Sequence, residues 1–208
     1  MRFSEINYCS TLVKRAFDIV FSLFSLILLS PIIVIAFIVS SIEVNSNGFF
    51  LQERVGKGGA VFKIIKIKTM KDASNNQSSV AIMSSVRITK IGVFFRRMKI
   101  DELPQLWNVL IGEMSFVGPR PDVPGYADKL KGKDKKILSV RPGITGPAQL
   151  YYKNEEEVLK KLKDPIKHNN EIIWPDKVKI NLLYIENCSF FTDVYYIWKT
   201  LVGGNVRH

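Results

Sequence analysis

The sequence predicts an α+β fold that is mostly helical and anchored to a membrane near its N-terminus. Three observations carry that expectation. Ile19 to Ile42 is a run of 24 apolar or hydroxylic residues without a charge. Two short stretches suited to strands flank the turn Gly56-Lys57-Gly58-Gly59, and amphipathic helices with hydroxyl caps are expected after Thr89 and Ser189. At 208 residues the chain can bury one real core and is too short for two ordinary domains. The expected division is a membrane segment over residues 1–43 and one folded domain over residues 44–208.

A formal charge of +11 and a pI near 9.6 suit phosphorylated ligands, an anionic membrane face or nucleic acid. No zinc-finger spacing, helix-turn-helix signature or aromatic RNA-binding motif occurs, so nucleic acid is not an expected partner. Cys9 and Cys188 are too few and too far apart in sequence for a disulfide framework or a metal site, and read as free thiols in a reducing compartment.

As a helix the apolar run would extend about 36 Å, long enough to cross a bilayer. It is too long for a secretory signal peptide and lacks a suitable cleavage site. Ser30-Pro31 sits near its middle, where proline removes a backbone donor and the serine hydroxyl can satisfy a freed carbonyl. Arg2, Lys14 and Arg15 precede the run and 27 of the 30 Lys and Arg residues follow it, so the positive-inside rule draws both flanks to the cytoplasm. A helix-break-helix that enters and leaves by one leaflet satisfies both flanks; a Pro-kinked spanning helix is the alternative. Asp18 is expected at headgroup depth beside a cation, because a charge deep in lipid is costly.

Phe49 to Gln52 and Ala60 to Lys68 read as a β-hairpin with one cationic face. Asp72 to Ser79 is polar and is the expected substrate-gating loop. Thr89 can cap a helix through Met98. Asp101 is expected to cap a second helix, from Glu102 to a stop at Gly112, with Pro104 tolerated in its first turn. Asp128 to Lys136 and Glu155 to Lys163 read as solvated helices. The aromatic helix after Ser189 suits an interfacial position, as does the basic amphipathic helix after Thr89. His168 and His208 are isolated and carry no chemistry.

Six ordered motifs span nearly the whole chain: Lys14-Arg15-Ala16-Phe17-Asp18; Ser30-Pro31; Gln52-Glu53-Arg54-Val55-Gly56; Phe62 to Met70; Asp101-Glu102-Leu103-Pro104-Gln105-Leu106-Trp107-Asn108, continuing to Gly118-Pro119-Arg120-Pro121; and Arg141-Pro142-Gly143-Ile144-Thr145-Gly146. In this the chain resembles the bacterial sugar transferases, the monotopic phosphoglycosyl transferases that begin polysaccharide, capsule and glycoconjugate assembly. The resemblance implies a membrane enzyme with a re-entrant helix-break-helix at Ser30 and Pro31 and a catalytic domain on the cytoplasmic face of the bacterial inner membrane. It implies a nucleotide-sugar donor, a UDP-sugar by expectation, and polyprenol phosphate as acceptor. Homo-oligomerisation stays open.

The same resemblance implies ping-pong chemistry. Asp101 would attack the phosphate next to the sugar and release a nucleoside monophosphate, and polyprenol phosphate would then take the phosphosugar. Glu102 would be the acid/base or orienting partner. Arg96, Arg120, Arg141 and Lys68 would hold phosphates, since guanidinium binds them bidentately. Mg²⁺ is the expected cofactor, with Asp101 nearest to it. One departure stands out: Pro147-Ala148-Gln149-Leu150-Tyr151-Tyr152-Lys153-Asn154 replaces the usual continuation after Gly146, which leaves the sugar open. A non-catalytic basic membrane adaptor and a two-pass glycosyltransferase that releases nucleoside diphosphate are the competing expectations.

Overall fold

The computed structural model describes residues 12–71 and 88–203. The expected gating loop and Cys9 lie outside them. Helix α1 spans Leu12–Val44 and leads into a β-hairpin of β1 (Phe49–Val55) and β2 (Val61–Ile67). These strands pair antiparallel, with Gln52 opposite Ile64 and Val55 opposite Val61. Helix α2 is Lys90–Arg97, capped as expected by Thr89, whose hydroxyl accepts from the Gly92 N–H at 2.9 Å. Helix α3 is Gln105–Ile111 and ends at Gly112, whose φ of 94° suits a glycine.

Strands β3 (Ser115–Val117) and β4 (Gly143–Thr145) pair in parallel, a contact not expected from the sequence. Then come α4 (Pro147–Tyr151), α5 (Glu155–Lys160), α6 (Pro165–His168), a π-helical turn over Asn169–Ile173, α7 (Trp174–Asn187) and α8 (Phe190–Leu201). Ser189 caps α8 in a reciprocal capping box with Thr192. The expected helix over 128–136 is instead two 3-10 segments, Ala127–Lys129 and Asp134–Ser139; Ala127, Ile137 and Leu138 are drawn from it into the core. Cys188 is disulfide-bonded, against the expectation of a free thiol there.

Helix α1 corrects one further expectation. It is not broken at Ser30-Pro31: Pro31 lies inside one continuous helix. Proline leaves the carbonyl four residues earlier without its N–H partner, and the Ser30 hydroxyl donates to that carbonyl, Ile27 O, at 2.9 Å. Asp18, expected beside a cation, is held within the protein. It is 1% exposed and accepts from the Ser115 hydroxyl (3.0 Å) and the Phe116 N–H (3.1 Å). Lys14 pairs with buried Asp193 on α8.

Both ends of α1 dock on the same folded body. Near the N-terminal end Arg15 donates to Val109 O (2.6 Å) and Leu110 O (2.7 Å), carbonyls in the last turn of the short α3. Near the C-terminal end the Ser40 hydroxyl donates to Lys68 O, and Ala36 packs with Ile67 and Phe95. Between them the helix is apolar and open, with Phe24 64% and Ile27 68% exposed. Among the described residues α1 is the one helix long and apolar enough to cross a membrane.

Candidate active site

The Asp101-Glu102 pair is presented by a turn, not by a helix start. Lys99 adopts left-handed geometry (φ 58°) and Ile100–Glu102 form a single 3-10 turn, so Asp101 does not cap α3 as expected. Leu103 and Pro104 then carry the chain into α3. Buried Asn108 fixes that helix against β2. Its side chain accepts from Ile65 N–H (3.1 Å) and donates to Lys63 O (2.9 Å) and the Glu113 carboxylate (2.7 Å).

With α3 held to β2 in this way, Lys66 Nζ lies 3.1 Å from Glu102 Oε1. Arg120 reaches the same oxygen at 2.6 Å from the other side. Arg120 is placed by backbone packing between two of the sequence motifs: Gly118 N–H donates to Thr145 O (3.0 Å) and Gly143 N–H to Pro119 O (2.8 Å). A Cβ at Gly146 would sit 2.2 Å from Gly118 O, so only glycine permits the approach.

The two adjacent carboxylates have opposite surroundings. Burial disfavours the Glu102 charge, yet Arg120 and Lys66 outweigh it and hold Glu102 far below the usual carboxylate range. Asp101 is raised, by burial first and by the neighbouring Glu102 charge second, with Lys66, Lys99 and Arg96 opposing. Asp101 Oδ1 is buried without a hydrogen-bond partner. The local cations thus compensate Glu102 and leave Asp101 with an uncommitted oxygen.

Asp101, Glu102, Arg96, Arg120 and Lys68 all line one cleft of about 900 Å³. Arg96 is braced there by Thr69 (2.9 Å), and Lys68 donates to Ser46 (2.9 Å). Arg141 is not brought to the cleft. Its Nε donates to Gly112 O at 2.7 Å, so it works beside Arg15 at the end of α3. Ser30 and Pro31 belong to the exposed part of α1.

The cleft residues not expected from the sequence as site residues include Arg54, Asp122, Gln149 and Asn181. Arg54 Nε, Gln149 Oε1 and Asn181 Oδ1 are buried without partners. Burial pushes Asp122 up to about 6, with Lys177, Arg54 and Arg120 opposing. Arg54 and Asp122 stood inside or beside quoted motifs and could have been proposed. Gln149 lies in the stretch that departs from the usual continuation after Gly146, whereas Asn181 carries no local signal, because α4 and α7 meet only in the folded chain.

The sequence pattern described as "Bacterial sugar transferase" matches residues 9–205. The chain is similar to the uncharacterized sugar transferase EpsL of Bacillus subtilis, at 35% identity over 91% of this chain and 86% of that protein. It is also similar to the UDP-glucose:undecaprenyl-phosphate glucose-1-phosphate transferase of Escherichia coli, at 34% identity over 98% of this chain and 42% of that protein. The UDP-N-acetylgalactosamine-undecaprenyl-phosphate N-acetylgalactosaminephosphotransferase of Aeromonas hydrophila is 32% identical over 91% of this chain. The chain spans less than half the length of these last two relatives. With a family pattern covering almost its full length, the chain belongs to the bacterial sugar transferase family.

Proposed function

We propose that this protein is a phosphoglycosyl transferase that moves a sugar 1-phosphate from a UDP-sugar to undecaprenol phosphate, as the first membrane step of glycan assembly. The observation that carries the reading is the bare, buried Oδ1 of Asp101 beside a Glu102 whose charge is already compensated. Asp101 attacks the sugar-bearing phosphorus. The bond from that phosphorus to the bridging oxygen breaks, the electron pair leaves with UMP, and an acyl-phosphate carries the phosphosugar. A phosphate oxygen of undecaprenol phosphate then attacks the same phosphorus and restores the carboxylate. No net proton moves, so Glu102 can act purely as the anion that positions Arg120 and Lys66. Arg96, Arg120, Lys66 and Lys68 supply positive charge for the diphosphate.

Mg²⁺ fits this site in one way. Among the described residues no group of three His, Cys, Asp or Glu side chains is placed to hold a metal. Asp101 Oδ1 is a free hard oxygen, and Mg²⁺ commonly takes one or two carboxylates, substrate phosphates and water. Asp101 would hold it together with the donor, and when bound the ion would neutralise diphosphate charge.

Topology follows from α1. Lys14 and Asp18 near one end, and Ala36 and Ser40 near the other, are buried against one body, which supports both flanks lying on the same, cytoplasmic, side. The exposed apolar middle would enter the membrane from that side only. An adaptor without catalysis would have no use for a bare buried carboxylate. A spanning α1 would have to pull Lys14 and Asp18 out of their buried pairs.

Identifying the released nucleotide tests the reaction: UMP is expected, and UDP would sink it. Labelled donor without acceptor should leave a phosphosugar on the peptide containing Asp101. For topology, Glu5→Cys and Lys57→Cys should both react from the cytoplasmic side alone; labelling of the first from outside would mean that α1 spans.

A further inference from the structure

The cleft is divided chemically. One end is rich in hydrogen-bond donors: Lys66, Lys68, Arg96, Arg120 and the unpartnered Arg54 Nε. Phosphate oxygens are acceptors only, so this end matches them. Another part of the lining comes from α4 and α7, which pack together, and there two acceptors are buried without partners: Gln149 Oε1 and Asn181 Oδ1. Asn181 is 6% exposed, so water cannot readily serve it. Trp174, Lys177 and Asn181 line the cleft at spacings of three and four residues, which places them on one face of α7.

Two unpartnered acceptors close together in the fold call for a ligand that brings hydrogen-bond donors. A diphosphate brings none; the uridine brings one uracil N–H and two ribose hydroxyls, which is why UDP alone is the control below. A sugar brings several hydroxyls, with an added N–H if it is acetamido-substituted. Trp174 in the same lining adds an aromatic face of the kind that sugar rings stack on. We propose that Gln149 and Asn181 are specificity-determining residues that read the hydroxyl or acetamido groups of the transferred sugar. This rests on the UDP-sugar reaction proposed above.

The test measures binding, so it does not depend on turnover. Full-length Asp101→Asn protein in detergent is titrated with UDP, UDP-glucose, UDP-galactose, UDP-N-acetylglucosamine and UDP-N-acetylgalactosamine. One UDP-sugar is expected to bind best. Asn181→Leu and Gln149→Leu should each weaken that sugar by about 10–100-fold and compress the Kd ratio between its C4 epimers, because polar groups of the sugar lose their partners. Affinity for UDP should stay within about twofold of the parent, the level expected of a contact not made. Asn181→Asp and Gln149→Glu keep an acceptor and should retain the epimer ratio better than the leucine variants. Equal weakening of UDP and all four sugars would overturn the proposal, as would a parent protein that binds all four as it binds UDP. Release of UDP instead of UMP by the wild-type protein would remove the phosphosugar reaction while leaving these affinities as a separate result.

Discussion

The middle of α1 leaves Phe24 and Ile27 64% and 68% exposed, whereas the cleft buries Asp101 and Glu102 to 9% and 8%. One region presents apolar surface outward and the other takes charge inward, each against the usual partition between core and surface. Their means of support differ. Among the described residues, helix α1 is fastened near its two ends, by Lys14, Arg15 and Asp18 on one side and Ala36 and Ser40 on the other, and the middle is left exposed. The cleft is supported from within, by cations on Glu102 and by Asn108 between α3 and β2. An anchor and a reaction site therefore break the same rule for different ends, and perturbing each should have separable consequences.

The largest effect is expected at Asp101. Asp101→Asn should lower turnover by at least about 10³-fold without lowering the melting temperature, since it removes the proposed nucleophile, breaks no ion pair and relieves a charge that burial disfavours. Because the Asp101 pKa is raised and the reaction needs the carboxylate ionised, the acid limb of kcat/KM should fall at higher pH than for an ordinary aspartate. Retention of most activity would end the contrast between the two carboxylates.

Glu102→Gln comes next and should behave differently. It strands Arg120 and Lys66, so it should cost about 3–5 kcal/mol of stability as well as activity. The Glu102 pKa is depressed, so its stabilising contribution is present above the unfolded-state value and is lost as pH falls. The gap between wild type and Glu102→Gln should therefore narrow in acid. A gap that widens there would break the assignment of Glu102 as an ionised anchor.

On the α1 side, Phe24→Lys should leave detergent-solubilised melting and turnover unchanged and reduce co-flotation with vesicles, because a charge in the bilayer costs about 3 kcal/mol. Normal flotation would mean that this surface faces something other than lipid. Asp122→Asn sharpens the cleft side. Its folded value, about 6, lies above the ordinary 3.8, so the folded protein binds the proton more tightly and stability is lost as pH rises through 6. At pH 8 the variant should be more stable by no more than about 3 kcal/mol, and the advantage should vanish below about pH 4. The smallest effect is Ser30→Ala, about 1 kcal/mol from an unpaired Ile27 carbonyl, and it should disappear when Pro31→Leu restores a backbone donor.

Local chemistry made several features legible in advance. The hairpin around Gly56 to Gly59, the Thr89 and Ser189 caps and the stop at Gly112 each depend on residues within a few positions of one another. The cations that meet the Asp101-Glu102 pair could be named from motifs. Their division of labour could not. Arg120 and Lys66 both go to Glu102, while Arg141 stays at Gly112, because β3–β4 pairing and the Asn108 bridge set distances that sequence spacing does not contain.

By itself, then, the sequence determined where apolar length, caps, turns and charge would fall, since these arise from each residue and its near neighbours. Only the tertiary structure decided which of two adjacent carboxylates keeps a bare oxygen, that Asp18 is buried in protein, and that Gln149 and Asn181 line one cleft. These depend on burial and on pairings across tens of residues, and a side chain's solvation and charge balance are settled by whatever the fold brings within a few ångströms of it.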